Sequence, residues 1–262
     1  KIDVWDDFRE NILYTLTERE FLRYIADKGR CNFSNWQDLP ERGFNEVEIL
    51  AGRRGGKSFL ISALAVEKLR QLLNVRNPHE IYRIGDGDPI DFTILAQDED
   101  GAGRLYDKIK MAVNRSDFFR PFLWGKPGSD SMQFITEADR HRNNVEPSIQ
   151  VAAWACTTRA ARGPSSYFLA LDEFAHFRSA TGASSDEVYE AATPATARFL
   201  RKEGGKEQLD SLIVTITSPW TKVGKSYELF KEGMADGKDA SLFVYQCSTA
   251  EMAATEISPT YL

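Results

Sequence analysis

The chain has 262 residues and a mass of 29.6 kDa, with 42% hydrophobic and 27% charged residues, which is ordinary for a globular protein and excludes a disordered one. No apolar stretch approaches the about 20 residues that cross a bilayer, and the first residues, KIDVWDDFRE, do not resemble a signal peptide, so we expect no membrane partner. The net charge of −6 is opposite in sign to that of proteins that coat nucleic acid. Three widely spaced cysteines indicate a reducing compartment and no zinc site.

Hydrophobic periodicity predicts alternating helices and strands. The first thirty residues are predicted to be helical, and Thr17 and Glu20 have the spacing of a capping box. Residues 74–90 contain two prolines and two glycines and predict a surface loop. Strands are predicted over 47–51, 92–96, 132–136, 149–154, 167–171, 212–217 and 241–246, and further helices over 57–73, 102–113, 185–200 and 225–234. This alternation indicates an α/β domain with a mainly parallel central sheet flanked by helices.

Residues 51–58 read Ala-Gly-Arg-Arg-Gly-Gly-Lys-Ser, between a predicted strand and a predicted helix. This is a phosphate-binding loop (P-loop, or Walker A motif) in which Ala51 replaces the first glycine. Glycines let successive N–H groups point at phosphate oxygens, and the helix adds its positive end. Lys57 is predicted to reach the β- and γ-phosphates and Ser58 to bind Mg²⁺. The predicted nucleotide-binding residues of the loop are Gly52, Arg53, Arg54, Gly55, Gly56, Lys57 and Ser58.

An apolar strand over 167–171 ends in two carboxylates, Asp172 and Glu173. In P-loop enzymes the metal-binding carboxylate (Walker B) lies at this end of the sheet. Asp172 is therefore predicted to hold Mg²⁺ through water, and Glu173 to polarise the attacking water. A strand between the loop and the acids, together with a catalytic glutamate, is typical of RecA-like (ASCE-type) P-loop NTPases. The polar end of the strand over 212–217, Thr217 and Ser218, is predicted to sense the γ-phosphate.

Taken in order, four segments resemble one family. AGRRGGKS, ILAQDEDGAGRLYDKI, TRAARGPSSYFLALDEFAHF and VTITSPWTKVGKSYELF are similar to the motifs of the N-terminal ATPase domain of the tailed-bacteriophage terminase large subunit. The resemblance covers residues 47–233. It implies a RecA-like motor that uses ATP and Mg²⁺ to pump double-stranded DNA into a procapsid.

The resemblance also assigns site residues. Lys57 and Ser58 match its phosphate loop, and Asp172 and Glu173 match its metal-binding and base acids. Thr217, Ser218 and Pro219 match the motif that couples hydrolysis to movement.

Three further residues follow from the resemblance alone. Arg53 matches a loop arginine near the γ-phosphate. Arg162 matches an arginine finger that some members supply to the neighbouring subunit, and an unrelated surface arginine stays open as the alternative. Gln37 matches an adenine-reading glutamine, and a role in packing is an equal alternative.

The resemblance implies several partners: double-stranded DNA, other copies of the chain in a ring, the small terminase subunit, and the portal of the procapsid. It also implies that the protein acts in the cytoplasm of an infected bacterial host.

We expect an N-terminal helical segment over 1–45, a P-loop ATPase core over 46–220, and a lid-like subdomain or C-terminal extension over 221–262. The nuclease domain of the family is expected to be absent, as in an excised motor domain. A helicase-type DNA motor and a nucleotide-binding switch without turnover are the alternative functions.

Overall fold

A single eight-stranded sheet organises the molecule. The computed structural model describes residues 2–7, 12–33, 43–85, 87–142, 145–156, 165–177, 184–203, 206–235 and 241–249. Its strands are β1 (Ile2–Asp7), β2 (Ile12–Leu16), β3 (Glu46–Ala51), β4 (Ile90–Ala96), β5 (Leu123–Trp124), β6 (Ser131–Phe134), β7 (Ile149–Ala155), β8 (Ser166–Asp172), β9 (Leu200–Glu203), β10 (Lys206–Leu209), β11 (Leu212–Thr217) and β12 (Leu242–Cys247).

Helices cover both faces of this sheet. They are α1 (Glu18–Asp27), α2 (Lys57–Leu73), α3 (Pro78–Tyr82), α4 (Glu99–Arg115), α5 (Glu137–Arg140), α6 (Ser185–Ala192) and α7 (Lys225–Met234), with 3₁₀ turns at Phe174–His176 and Thr193–Thr196. The sheet order is β12-β3-β11-β8-β4-β7-β6-β5. The strands from β12 to β7 pair in parallel, whereas β6 and β5 are antiparallel. The prediction of a mainly parallel sheet flanked by helices is confirmed.

The two faces of the sheet carry separate hydrophobic clusters. On one face, α2 and α4 pack their buried side chains, such as Ile61, Leu69 and Tyr106, against the strands. On the other face, α6 and α7 contribute Val188 and Leu229 to a smaller cluster. Strands β8 and β11 are buried along their whole length, which explains their near-continuous apolar sequences. Each fully buried large apolar side chain contributes about 1.5–3 kcal/mol.

Several sequence-based boundaries are wrong. Residues 2–7 and 12–16 form an antiparallel hairpin rather than a helix, because their β-branched and aromatic residues favour extended backbone that cross-strand pairing can satisfy. The helix then begins at Glu18 after the predicted capping box, in which the Thr17 N–H donates to Glu20 Oε2 at 2.7 Å. The predicted loop over 74–90 contains α3, whose Tyr82 is buried. The helix predicted over 185–200 ends at Ala192, before a 3₁₀ turn and the hairpin of β9 and β10.

The C-terminal strand belongs to the central sheet. Residues 221–262 are predicted to form a lid-like subdomain or C-terminal extension. Within that range, strand β12 pairs in parallel with β3, from Leu242 opposite Glu46 to Cys247 opposite Ala51. Helix α7 packs on the same strands. Within the described ranges, no helix is long and apolar enough to cross a bilayer.

A buried carboxyl group ties β3 to its neighbours. Glu48 is fully buried, and its two oxygens accept hydrogen bonds from Ser226 of α7 and Thr215 of β11. Burial raises the pKa of Glu48 to about 8, against the lowering effect of the two hydroxyl donors. At neutral pH this group is therefore mainly protonated, which avoids an unpaired charge in the core.

We predict that Glu48→Gln removes part of the pH dependence of stability. Between pH about 5 and about 8 the unfolded chain ionises Glu48 while the folded protein keeps it protonated. The wild-type free energy of unfolding therefore falls as the pH rises, by up to about 1.4 kcal/mol per pH unit from this group. Glutamine cannot ionise, so the stability of the variant relative to wild type should increase across this window. Urea unfolding at several pH values measures the difference.

The exposed Glu190→Gln variant is the control for this experiment, because it makes the same chemical change at a side chain outside the core. If the wild-type and Glu48→Gln profiles run parallel from pH about 5 to about 8, then Glu48 does not have a raised pKa.

Candidate active site

The loop between β3 and α2 has the backbone of an anion-binding turn. Arg54 (φ 60°) and Gly56 (φ 71°) adopt left-handed conformations, and the Gly55 N–H donates to the Gly52 carbonyl at 3.2 Å. Among the described residues, no side chain caps α2 at Gly56, so the first N–H groups of the helix can bind an external acceptor. Ala51 is tolerated in place of glycine because it is the last residue of β3 and has no positive φ.

Lys57 connects this loop to two other strands. Its side chain is only 8% exposed, and its Nζ lies 2.9 Å from Ser218 Oγ and 3.4 Å from Glu173 Oε1. The same Nζ lies 3.4 Å from the Gly52 carbonyl oxygen. The structure therefore brings together the loop lysine, the acid that follows β8 and the serine that follows β11.

The sheet topology explains this convergence. Strands β3, β11 and β8 are neighbours and run parallel, so their carboxyl ends meet at one edge. The segments beyond β8 and β11 are also joined directly. The Ala175 N–H donates to Thr217 Oγ1 at 3.2 Å, and the Ser218 N–H donates to Glu173 Oε2 at 3.4 Å. Glu173 has a left-handed φ of 54°, which turns the chain abruptly at the end of β8.

Asp172 has the properties of a ligand for a hard cation. It is 7% exposed, and its Oδ1 has no hydrogen-bond partner in the described part of the chain. Burial and the neighbouring Glu173 raise the pKa of Asp172 to about 6, while the charges of Lys57 and Arg104 act in the opposite direction. A buried carboxylate oxygen without a donor fits Mg²⁺, which binds through one or two carboxylates plus substrate phosphates. Among the described residues, no group of three or more His, Cys, Asp or Glu side chains forms a metal cage.

The remaining predicted site residues are half-buried, exposed, or outside the described residues. Ser58 is half-buried in the first turn of α2, and its carbonyl accepts a hydrogen bond from Ser62. The Arg53 side chain is exposed, while its carbonyl accepts from Thr249 Oγ1 at 2.9 Å. Gln37 and Arg162 lie outside the described residues, so their roles stay predictions.

His176 lies beside Glu173 in the structure, and the sequence analysis predicts no role for it. His176 Nε2 lies 3.7 Å from Glu173 Oε2, and the imidazole packs edge-on against the Trp220 indole with ring centroids 4.7 Å apart. The spacing of the two residues in sequence could have indicated this contact only if the tight turn after β8 had been recognised.

We predict that Gly52→Ala destabilises the protein. A methyl group at this position would collide with the main chain of Thr249, whose Cα would lie 3.0 Å away. Displacing that backbone should lower the free energy of unfolding by about 1–3 kcal/mol. Gly103→Ala is the matched control, because nothing lies within 4 Å of its added Cβ and it lies inside α4, where the change should stabilise by about 0.5–1 kcal/mol. Chemical denaturation measures both, and equal stability of Gly52→Ala and wild type would refute the close approach of Thr249.

Comparisons with solved structures identify the fold. The large terminase ATPase domain of Thermus phage P74-26 matches with a TM-score of 0.51 and 16% sequence identity, covering 81% of this chain and 78% of that one. An arginine-to-alanine variant of that domain matches with the same TM-score and identity over 80% of this chain. The large terminase of bacteriophage HK97 matches with a TM-score of 0.48 and 16% identity, over 87% of this chain and 38% of that one. The two matches to the P74-26 domain confirm the resemblance to terminase ATPase domains for the fold.

Sequence comparisons add a family. A search of curated proteins finds no match. A family model described as the N-terminal P-loop domain of uncharacterized protein MJ0330 matches residues 14–252, which is most of the chain. The phosphate loop and the sheet order described above agree with that description, and the chain belongs to this family of P-loop domains.

Proposed function

We propose that the protein is an Mg²⁺-dependent ATPase whose hydrolysis drives translocation of double-stranded DNA. The P-loop family and the terminase-ATPase fold support an NTPase in general. The observation that carries the proposal is the position of the Lys57 ammonium, 2.9 Å from Ser218 and 3.4 Å from Glu173. A nucleotide phosphate bound by the loop would lie among all three groups.

The chain's own groups suit a triphosphate. The first N–H groups of α2 and the loop amides would donate hydrogen bonds to the phosphate oxygens. Lys57 would give up part of its contact with Glu173 and bind the β- and γ-phosphates instead. Asp172, through water, and Ser58 would hold Mg²⁺. The bound cation would supply positive charge that stabilises the charge developing on the phosphates during hydrolysis.

Glu173 would orient and polarise the attacking water. Its carboxylate lies beside Lys57 of the loop. The hydrogen bond from the Ser218 N–H and the left-handed backbone at position 173 hold it there. Release of Lys57 toward the phosphates would leave Glu173 Oε1 available to accept a proton from water. Thr217 and Ser218 would couple the presence of the γ-phosphate to the position of the segment after β11. They are suited to this because both are hydrogen-bonded to the turn that carries Glu173.

Arginines would complete the site. Arg53 would approach the γ-phosphate from the loop, and Arg162 would act as a finger toward a neighbouring copy in a ring. An arginine supplied in this way contributes about 10³–10⁵ in rate. The isolated chain should therefore hydrolyse ATP slowly. Gln37 would read the adenine base.

At the level of the assembly, we propose a DNA-packaging motor. Its other components would be further copies of the chain, a small terminase subunit and a portal on a procapsid, in the cytoplasm of an infected bacterium. The net charge of −6 is compatible with this if DNA meets a local basic rim and several subunits share the contacts. A helicase-type motor would share the hydrolytic site, and a nucleotide-binding switch would share its binding without turnover.

The decisive variant is Glu173→Gln. We expect it to bind ATP with the wild-type dissociation constant and to lower kcat by about 10²–10⁴-fold, because glutamine cannot accept the proton of the attacking water. Phosphate release, measured with and without double-stranded DNA, gives kcat, and calorimetric titration gives the dissociation constant. Stimulation by DNA would support the motor over the switch.

The exposed Glu190→Gln again serves as the control, with wild-type kcat and affinity. Equal, negligible phosphate release by wild type and Glu173→Gln in the presence of DNA, with intact ATP binding, would refute the ATPase proposal and favour the switch.

We further predict that His176 positions Glu173. His176→Phe keeps a ring against Trp220 but removes the nitrogen that faces Glu173 Oε2, so the carboxylate should lose its orientation. We expect kcat to fall by about 10- to 100-fold with an unchanged dissociation constant for ATP. His176→Gln retains a polar donor and should recover part of the rate. Equal losses in both variants, together with equal losses of stability, would indicate a structural role instead.

A further inference from the structure

The edge of the sheet that ends in β5 is basic, although the whole chain has a net charge of −6. Residues 108–126, from the middle of α4 through β5 to the turn that follows it, contain five Lys and Arg residues and one acid, Asp117. The wider range 104–142 contains eight basic and five acidic residues, which gives a net charge of +3. A local excess of positive charge in an acidic chain favours an anionic partner at this edge.

Most acids of this range are already engaged. Three of the five form ion pairs: Asp117 with Arg120 at 2.8 Å, Glu137 with Arg76 at 3.6 Å and Asp139 with Arg142 at 3.3 Å. The Asp130 carboxylate accepts from the hydroxyls of Ser129 and Ser131 at 3.5 and 3.3 Å. Asp107 makes no hydrogen bond or ion pair to a described residue. Six cations of the range lie outside these ion pairs, so Asp107 and Asp130 together offset only part of the positive charge.

Three exposed cations of this edge have no ion-pair or hydrogen-bond partner within the described ranges: Lys108, Arg115 and Lys126. Lys108 and Arg115 share the outer face of α4, because seven residues make nearly two turns, and they lie about 10 Å apart along the helix axis. Lys126 lies in the turn that follows β5. We call these three residues the β5-edge surface.

The start of α4 is separate from this surface. Glu99 and Asp100 lie in its first turn, with Asp100 about 12 Å before Lys108 along the axis. Burial, the largest effect, raises the pKa of Asp172, and the charge of Arg104 is among those that lower it. Arg104 therefore acts on the candidate active site, and we do not count it in the β5-edge surface.

Two further cations fix the geometry of this edge. Lys110 Nζ donates to the Gly128 carbonyl at 2.9 Å, which joins α4 to the turn after β5. The Arg140 guanidinium donates to the Pro121 carbonyl and lies over the Phe122 ring, 5.5 Å from its centroid, which joins α5 to the segment before β5. These contacts connect α4, β5 and α5, so the three cations of the β5-edge surface belong to one continuous face.

A regularly spaced polyanion suits this face better than a single small anion. Lys108 and Arg115 lie too far apart to bind one phosphate group together, and Lys126 comes from a different element. Double-stranded DNA presents one negative charge per about 1.7 Å of its axis, on both sides of a major groove that is about 12 Å wide. Separated cations on one face can therefore each contact a different phosphate.

We propose that the β5-edge surface binds the phosphate backbone of double-stranded DNA without reading its sequence. This inference rests on the proposed function for the choice of DNA as the polyanion. Helix α4 connects the surface to the nucleotide site, because it begins just after β4, which pairs with β8, the strand that ends at Asp172. DNA held at the β5 edge would thus be joined to the ATPase site by a single helix.

Fluorescence anisotropy of a short labelled DNA duplex, measured with the whole chain over a series of salt concentrations and without nucleotide, tests the proposal. Each phosphate contact contributes about 0.9 to the slope of log K against log salt. Lys108→Gln, Arg115→Gln and Lys126→Gln should therefore each reduce the slope by about 0.9 and weaken binding about eightfold at about 0.1 M salt.

Arg23→Gln is the matched control. Arg23 is an exposed cation of α1, which packs beside β12 at the opposite edge of the sheet, and it lies 3.8 Å from Asp27. The control removes the same charge as the other variants, and we expect it to keep the wild-type slope and to change the affinity by less than about twofold, because salt screens distant charges.

Several results would overturn the proposal. One is equal affinity and slope in Arg23→Gln and the three surface variants, and another is the absence of DNA binding by folded wild-type protein at low salt. A third is a loss of self-association in the three variants, measured by sedimentation, with unchanged DNA affinity, which would indicate an acidic surface of a second copy as the partner.

Hydrolysis measurements separate this proposal from the ATPase proposal. ATP hydrolysis without DNA should keep the wild-type rate in all four variants, whereas stimulation by DNA should fall in the three surface variants alone. If wild-type protein did not hydrolyse ATP but DNA binding still weakened in those three variants and not in Arg23→Gln, the ATPase proposal would fail and the DNA-binding surface would be supported.

Discussion

A buried lysine that must be paired is the constraint on which the site depends. Lys57 lies at the start of α2 with 8% exposure, and a buried ammonium is costly unless charged or polar partners surround it. Its partners, Glu173 and Ser218, come from segments more than a hundred residues away in sequence. This pairing holds Lys57 against the two groups that a triphosphate bound by the loop would also approach, so in the proposed function nucleotide binding would change the contacts of Glu173.

The strand order of the sheet brings Glu173 and Ser218 close to Lys57. Strand β11 lies between β3 and β8, which sets their carboxyl ends side by side. The turn after β8 and the segment after β11 then bond to each other through Thr217 and Ser218. Movement of either segment would alter the position of Glu173. On the face covered by α7, the protonated Glu48 holds β3 and β11 to that helix without introducing a charge.

Much of this arrangement could be predicted from sequence, for identifiable reasons. The bounds of α2 and β11 were predicted to the residue, because a P-loop and a continuous apolar run mark them clearly. The convergence on Lys57 follows from parallel strands with shared carboxyl ends. The hairpin of β9 and β10 was missed, since its alternating charged residues carry little hydrophobic signal. The contact of His176 with Trp220 depends on a tertiary neighbour, which no local pattern encodes.

A crystal structure with Mg²⁺ and a non-hydrolysable ATP analogue tests the central claim most directly. The account predicts that the β- and γ-phosphates lie within hydrogen-bonding distance of Lys57 Nζ. It also predicts that Asp172 contacts the metal through no more than one water and that Glu173 faces the γ-phosphate. An analogue bound away from the loop, or a metal that Asp172 and Ser58 do not approach, would contradict it.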